Sequence, residues 1–136
     1  MIVVDTSVIL AFMNSGDNHH DAVVEWILAE TEDLVTTPLI LAETDHLVGA
    51  RGGPSARAAL RADLISGAYL VEWWVGALRV TVAVADRYAD SGLSLADASL
   101  VALAERVETV TVATLDQRHF RAVAPLTGAP AFELRP

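Results

Sequence analysis

Cysteine is absent from the 136 residues of this chain, which excludes disulfides and thiolate metal sites and leaves oxygen-ligand metals open. Lysine is absent as well. All nine basic residues are arginines, set against 18 Asp and Glu for a formal net charge of −9. Such an acidic chain is a poor generic nucleic-acid binder, because affinity for phosphate comes largely from basic residues. Phosphoacceptor domains that depend on a lysine are excluded outright. Long apolar runs are missing too: none approaches the roughly 20 residues that span a bilayer. No basic segment precedes the first apolar stretch, so a secretion leader is not expected and a cytoplasmic protein is. The four histidines are scattered and form no H-E-x-x-H motif, which argues against a zinc hydrolase.

What is present is a hydrophobic share of 53%, enough for one domain with a single core over residues 1–136. Short apolar runs alternate with helical patterns. "MIVV" reads as a strand and "TSVILAFMN" as a buried helix. "DAVVEWILAE" repeats apolar residues at helical spacing. "DLVTT" is a second strand, stopped by Pro38 at a first helical turn. "PLILAETDHLVGA" is a third helix, ended by "RGGP", and "SARAALRADLIS" a fourth. "AYLVEW" is a strand, "GALRVTVAVADRYADSG" and "SLADASLVALAERV" are helices, and "TVTVATL" and "AFEL" are strands. Strands alternating with helices imply a mostly parallel sheet covered on both faces, a three-layer α/β/α arrangement. Open sheets of this kind bind ligands beyond the carboxyl ends of their strands. Two strands here run into an acid at that end, Asp5 after "IVV" and Asp116 after "VTVATL".

Each acid has a plain structural reading beside the chemical one. Asp5 and Asp116 both stand where Asp caps a helix by accepting from orphan backbone N–H groups. Asp97 shares a stripe with Leu100, Val101 and Ala104 at the spacing of a core face, and Ser94 three residues earlier suggests a capping box. A carboxylate on that stripe needs a partner, since an unpaired buried charge costs several kcal/mol. No arginine on that face supplies one, whereas a metal ion would. Glu43 and Asp45 flank the buried stripe of "LILAETDHL", and pattern alone does not choose between them. His119 is either a substrate contact or a packed loop residue. Trp73–Trp74 reads as half core and half surface rather than a base-stacking platform. A D-x-D phosphatase motif is missing from "DTS", and one Glu-x-x-His does not make a di-iron bundle, which needs two.

Taken together, "VVDTS", the acid in "LAETDHL", "LADASLVALA" and "TLDQRHF" resemble the PIN domain, in particular the VapC-type toxin ribonucleases of toxin–antitoxin pairs, over essentially the whole chain. The resemblance implies an acidic quartet at Asp5, Glu43, Asp97 and Asp116, and so favours Glu43 over Asp45. It implies supporting hydroxyls at Ser7 (with Thr6 beside it) and Thr114. The last acid is the most variable position of the family, so Asp116 is expected to matter least.

The chemistry is consistent with that set. Phosphodiester hydrolysis needs a nucleophilic water and relief of charge, which Mg²⁺ or Mn²⁺ supplies. Asp5 and Asp97 are the expected direct ligands, with Glu43 and Asp116 holding metal waters or a second ion. With so acidic a site, RNA binding is expected to draw on Arg51, Arg57, Arg61, Arg118 and Arg121, since the guanidinium fork grips phosphate; a solvated helix face is the alternative for these. The resemblance further implies a transfer or ribosomal RNA substrate, a cognate antitoxin seated beside the acids, and a homodimer formed through helices. The competing readings are a non-toxin PIN nuclease of RNA processing and a catalytically silent PIN-like binding module.

Overall fold

Five short parallel strands set the frame of the computed structural model, which covers residues 1–136. They are β1 (Ile2–Val4), β2 (Leu34–Thr36), β3 (Leu70–Val71), β4 (Thr111–Ala113) and β5 (Glu133–Arg135), in the spatial order β3-β2-β1-β4-β5. Every pairing is parallel, with Val3 opposite Val35 on one side and Val112 on the other. The expected "mostly parallel" sheet is therefore parallel throughout. β1 is fully buried, as the unbroken apolar run Ile2–Val4 requires of a strand covered on both faces.

The helices are α1 (Thr6–Met13), α2 (His20–Ala29), α3 (Pro38–Ser66), α4 (Ala77–Arg87), α5 (Leu95–Arg106) and α6 (Gln117–Arg121). From β1 the chain moves outward through β2 to β3, then crosses back to β4 and on to β5. Right-handed crossovers then put α1–α3 on one face and α4–α6 on the other. α5 is enclosed from Ala98 to Leu103 on all sides, and it contributes the centre of a 24-residue core with Ile9, Ile40, Leu60 and Phe120.

Two local expectations are corrected. The third and fourth helices form one element, α3, bent at Gly53 with φ 76°. That backbone conformation suits glycine, and Pro54 restarts the second limb because it has no N–H to leave unpaired. The strand expected over "AYLVEW" shrinks to Leu70–Val71. It is an edge strand with one neighbour, hemmed between the left-handed cap at Gly67 and the turn before α4.

Candidate active site

The order of strands reverses between β1 and β4, and the carboxyl ends of both strands open at that point. This is where a doubly wound sheet leaves a crevice. One pocket there is lined by Asp5, Glu43, Asp97, Asp116, Thr6 and Ser7, with Ser94 and His119 at its wall. All four expected acids meet in it, although they lie on four different elements or their ends.

Asp5 occupies the N-cap position of α1 but does not cap it through its side chain. Its carbonyl accepts from Val8 and Ile9, while its carboxylate turns the other way. Ser7 Oγ donates to Asp5 Oδ2 at 2.7 Å and Thr114 Oγ1 donates to the same oxygen at 2.9 Å. Each hydroxyl in turn accepts a backbone N–H from the segment after β4: Leu115 to Ser7 at 2.9 Å, and Asp116 to Thr114 at 3.1 Å. The two strand ends are thus stitched through one carboxylate oxygen, and Oδ1 is left free of side-chain donors. Asp5 is only 5% exposed, and burial raises its pKa despite the two hydroxyl donors, with the nearby Glu43 charge adding to the rise.

Glu43 sits on the exposed side of α3, held at Oε2 by a 2.6 Å hydrogen bond from Thr6 Oγ1. Asp45 points elsewhere. Arg61 grips both its oxygens, at 2.8 and 2.9 Å, and Arg57 Nε lies 3.5 Å from Oδ2. The Arg61 guanidinium holds the Asp45 carboxyl below its ordinary pKa. Two of the five arginines expected to meet phosphate, Arg57 and Arg61, are therefore paired with a carboxylate within the chain. Arg121 donates to Gln117 at 2.6 Å, while Arg51 and Arg118 form no ion pair.

Asp97 stands in the first turn of α5, where Ser94 Oγ accepts its backbone N–H at 3.0 Å. Its side chain is 15% exposed. Burial raises its pKa, and the Asp5 charge raises it further. Asp116, at the N-cap of α6, caps nothing with its side chain and is 49% exposed, far more open than Asp5 or Asp97. His119 is the residue that sequence reasoning undervalued. Its Nδ1 lies 3.3 Å from both Asp97 Oδ2 and Asp116 Oδ2, so Asp97 has a neighbour that the stripe argument lacked. The signal was the Asp116-to-His119 spacing of three, which puts both on one side of the short helix α6.

These residues suit a hard divalent cation. No three of the carboxylate and imidazole groups close into a ready-made cage, but Mg²⁺ commonly takes one or two carboxylates and keeps several waters. Two largely buried carboxylates, Asp5 and Asp97, repel each other here, and no arginine pairs with either. A cation between them would relieve that repulsion.

Known proteins match this chain in sequence and in fold. Residues 2–125 match the PIN domain. Ribonuclease VapC26 of Mycobacterium tuberculosis is 36% identical over 128 residues, covering 93% of this chain and 95% of that protein. The crystal structure of Mycobacterium tuberculosis VapC20, described as a sarcin–ricin loop cleaving toxin, superposes over 100% of both chains with a TM-score of 0.83 at 24% identity. FitAcB of Neisseria gonorrhoeae matches 88% of this chain and 91% of its own with a TM-score of 0.64 at 23% identity. At those identities the two structures speak to the fold alone.

Proposed function

The chain belongs to the PIN-domain family, and on that premise we propose that it is a metal-dependent endoribonuclease, the toxin of a toxin–antitoxin pair, acting as a single domain in the cytoplasm. The observation that carries the reading is the convergence of Asp5, Glu43, Asp97 and Asp116 at the β1/β4 crevice, each on a separate part of the chain. Asp5 and Asp97 would hold Mg²⁺ or Mn²⁺. When bound, the ion would supply a water of lowered pKa and neutralise charge on the phosphate. Ser7 and Thr114 fix the orientation of Asp5 by binding one oxygen. Thr6 fixes Glu43, and His119 stands between Asp97 and Asp116. Glu43 and Asp116 would hold metal-bound waters or a second ion, and no side-chain nucleophile is required. The substrate is transfer or ribosomal RNA. Arg118 and Arg51 are the phosphate contacts this reading favours, with Arg121 beside Arg118 on α6.

Two partner surfaces accompany the site. A pocket of about 170 Å³ lies between the end of α1 and the bend of α3, lined by Leu10, Met13, Val48 and Ala56 with Arg51 and Asp17 at its rim. Leu10 belongs to its wall and to that of the acid crevice, so an antitoxin segment seated there would reach the acids. A second copy of the chain would cover the stretch from β3 into α4, where Leu70, Val71, Trp73, Val75, Leu78 and Val82 are all exposed. Exposed apolar residues gathered in one stretch mark a partner surface. Arg79 and Asp86 are also exposed on α4, one on each side of Val82. A twofold antiparallel pairing of the helix would set Arg79 against Asp86 of the second copy.

Cleavage of structured RNA by the purified chain in Mg²⁺ or Mn²⁺, abolished by EDTA, is the direct test. Growth arrest on expression without a partner, relieved by a stably produced Asp97→Asn protein, is its counterpart in cells. RNA cleavage that persists in EDTA would remove the metal reading.

A further inference from the structure

Thr44 is fully buried one residue beyond Glu43. Its hydroxyl lies 2.7 Å from the carbonyl of Ile40, to which it donates, and 3.2 Å from Thr6 Oγ1. The protons of this cluster can be placed by counting. Thr6 has one hydroxyl proton, and it is donated in the 2.6 Å contact to Glu43 Oε2. The Thr6 oxygen then faces Thr44 purely as an acceptor. Thr44 in turn has a single proton, shared between the Ile40 carbonyl and Thr6. Helix α3 therefore holds Thr6 from both sides: Glu43 pulls its proton outward and Thr44 supports its oxygen from within.

We infer that Thr44 is a positioning residue for the acid site, holding the Thr6 rotamer whose proton is aimed at Glu43. The inference rests on the nuclease reading and adds a residue to it. A purely structural role does not need the Thr6 contact. The Ile40 carbonyl alone would satisfy a buried threonine on a helix, and valine would fill the same volume. The second contact joins α3 to the first turn of α1 at Thr6, the residue next to Ser7, whose hydroxyl holds Asp5 at the centre of the crevice.

Thr44→Val and Thr44→Ser in the full chain provide the test. Mn²⁺ affinity is read by calorimetry, RNA cleavage by steady-state kinetics, and melting is recorded in EDTA. Thr44→Val is expected to melt within about 2 °C of the parent, since no partner is orphaned: the Ile40 carbonyl keeps its helical N–H bond in α3 and Thr6 keeps its bond to Glu43. Its Mn²⁺ affinity is expected to fall about 3- to 10-fold, less than the roughly 10- to 100-fold that partners of direct metal ligands carry, because Thr44 acts through Thr6. Its kcat should fall by a similar factor with KM for RNA unchanged, and Thr44→Ser should restore both. In a Glu43→Gln background, Thr44→Val should add no further loss, because the effect passes through Glu43. Parental Mn²⁺ affinity in Thr44→Val, an undiminished loss in the Glu43→Gln background, or failure of serine to restore function would each overturn the inference. If the parent binds Mn²⁺ but cleaves no RNA, the nuclease reading falls, and the three Mn²⁺ affinities still decide the role of Thr44.

Discussion

Replacing Asp5 by Asn separates a helix cap from a charged member of a metal site. Asparagine and aspartate cap equally well, so a capping Asp5 would tolerate the change without effect. The structure points the other way. Ser7 and Thr114 both donate to Asp5 Oδ2, and those bonds survive if the Asn carbonyl takes that place. Converting two charge-assisted bonds to neutral ones loses about 1 kcal/mol each. Against this stands the burial of a carboxylate, which costs several kcal/mol. The raised pKa of Asp5, caused first by burial, says that burial outweighs the donors. Asp5→Asn should then stabilise the metal-free protein by on the order of 1 kcal/mol, or about 3–5 °C in melting temperature for a chain of this size.

The pH dependence follows from the direction of that displacement. A carboxyl whose folded pKa lies above its ordinary 3.8 binds its proton more tightly in the folded state. It costs no stability below the ordinary value, an increasing amount as pH rises towards the folded value, and the full amount above it. The gain from Asn should therefore be larger near neutral pH and vanish below about pH 4. Magnesium should reverse the ranking. A ligand at a hundredfold excess over its Kd stabilises by about 2.7 kcal/mol, so the parent should rise in Mg²⁺ and the variant far less. Melting of both proteins at pH 7 and near pH 4, in EDTA and in Mg²⁺, checks each part. An Asn variant that melts with the parent in EDTA at pH 7 and responds equally to Mg²⁺ would return Asp5 to the role of a cap.

Two further expectations concern surfaces. Arg118→Ala, made in an Asp97→Asn background to prevent cleavage, should weaken RNA binding and lower the log–log salt slope by about 0.7. Arg61→Ala should leave the slope unchanged, because its guanidinium is already on Asp45; filter binding across salt concentrations decides, and equal effects would refute the distinction. Val82→Asp places a charge at the middle of the exposed face of α4 and should yield a monomer by light scattering with little change in melting. A dimer that persists would move the contact elsewhere on the molecule.

The sequence by itself determined the alternation of elements and the location of the acids. Strand periodicity and helical stripes are local properties, so "MIVV", "TVTVATL" and the α5 stripe could be read from their own residues. Asp97 stood out because a charge on a core stripe breaks a local rule. The bend of α3 and the brevity of β3 were not legible in the same way. One depends on how two helical limbs dock, and the other on having a single neighbour at the sheet edge. Pattern left Glu43 and Asp45 level and the family resemblance favoured Glu43; the tertiary structure puts Glu43 in the crevice and leaves Asp45 out of it. Two acids two residues apart look alike in the chain, but folding brought Thr6 to one and two guanidiniums to the other. The same distance effect hid the position of His119, which packing sets against Asp97 at the start of α5. Side-chain partners across a dozen or more residues are set by packing, which periodicity does not encode.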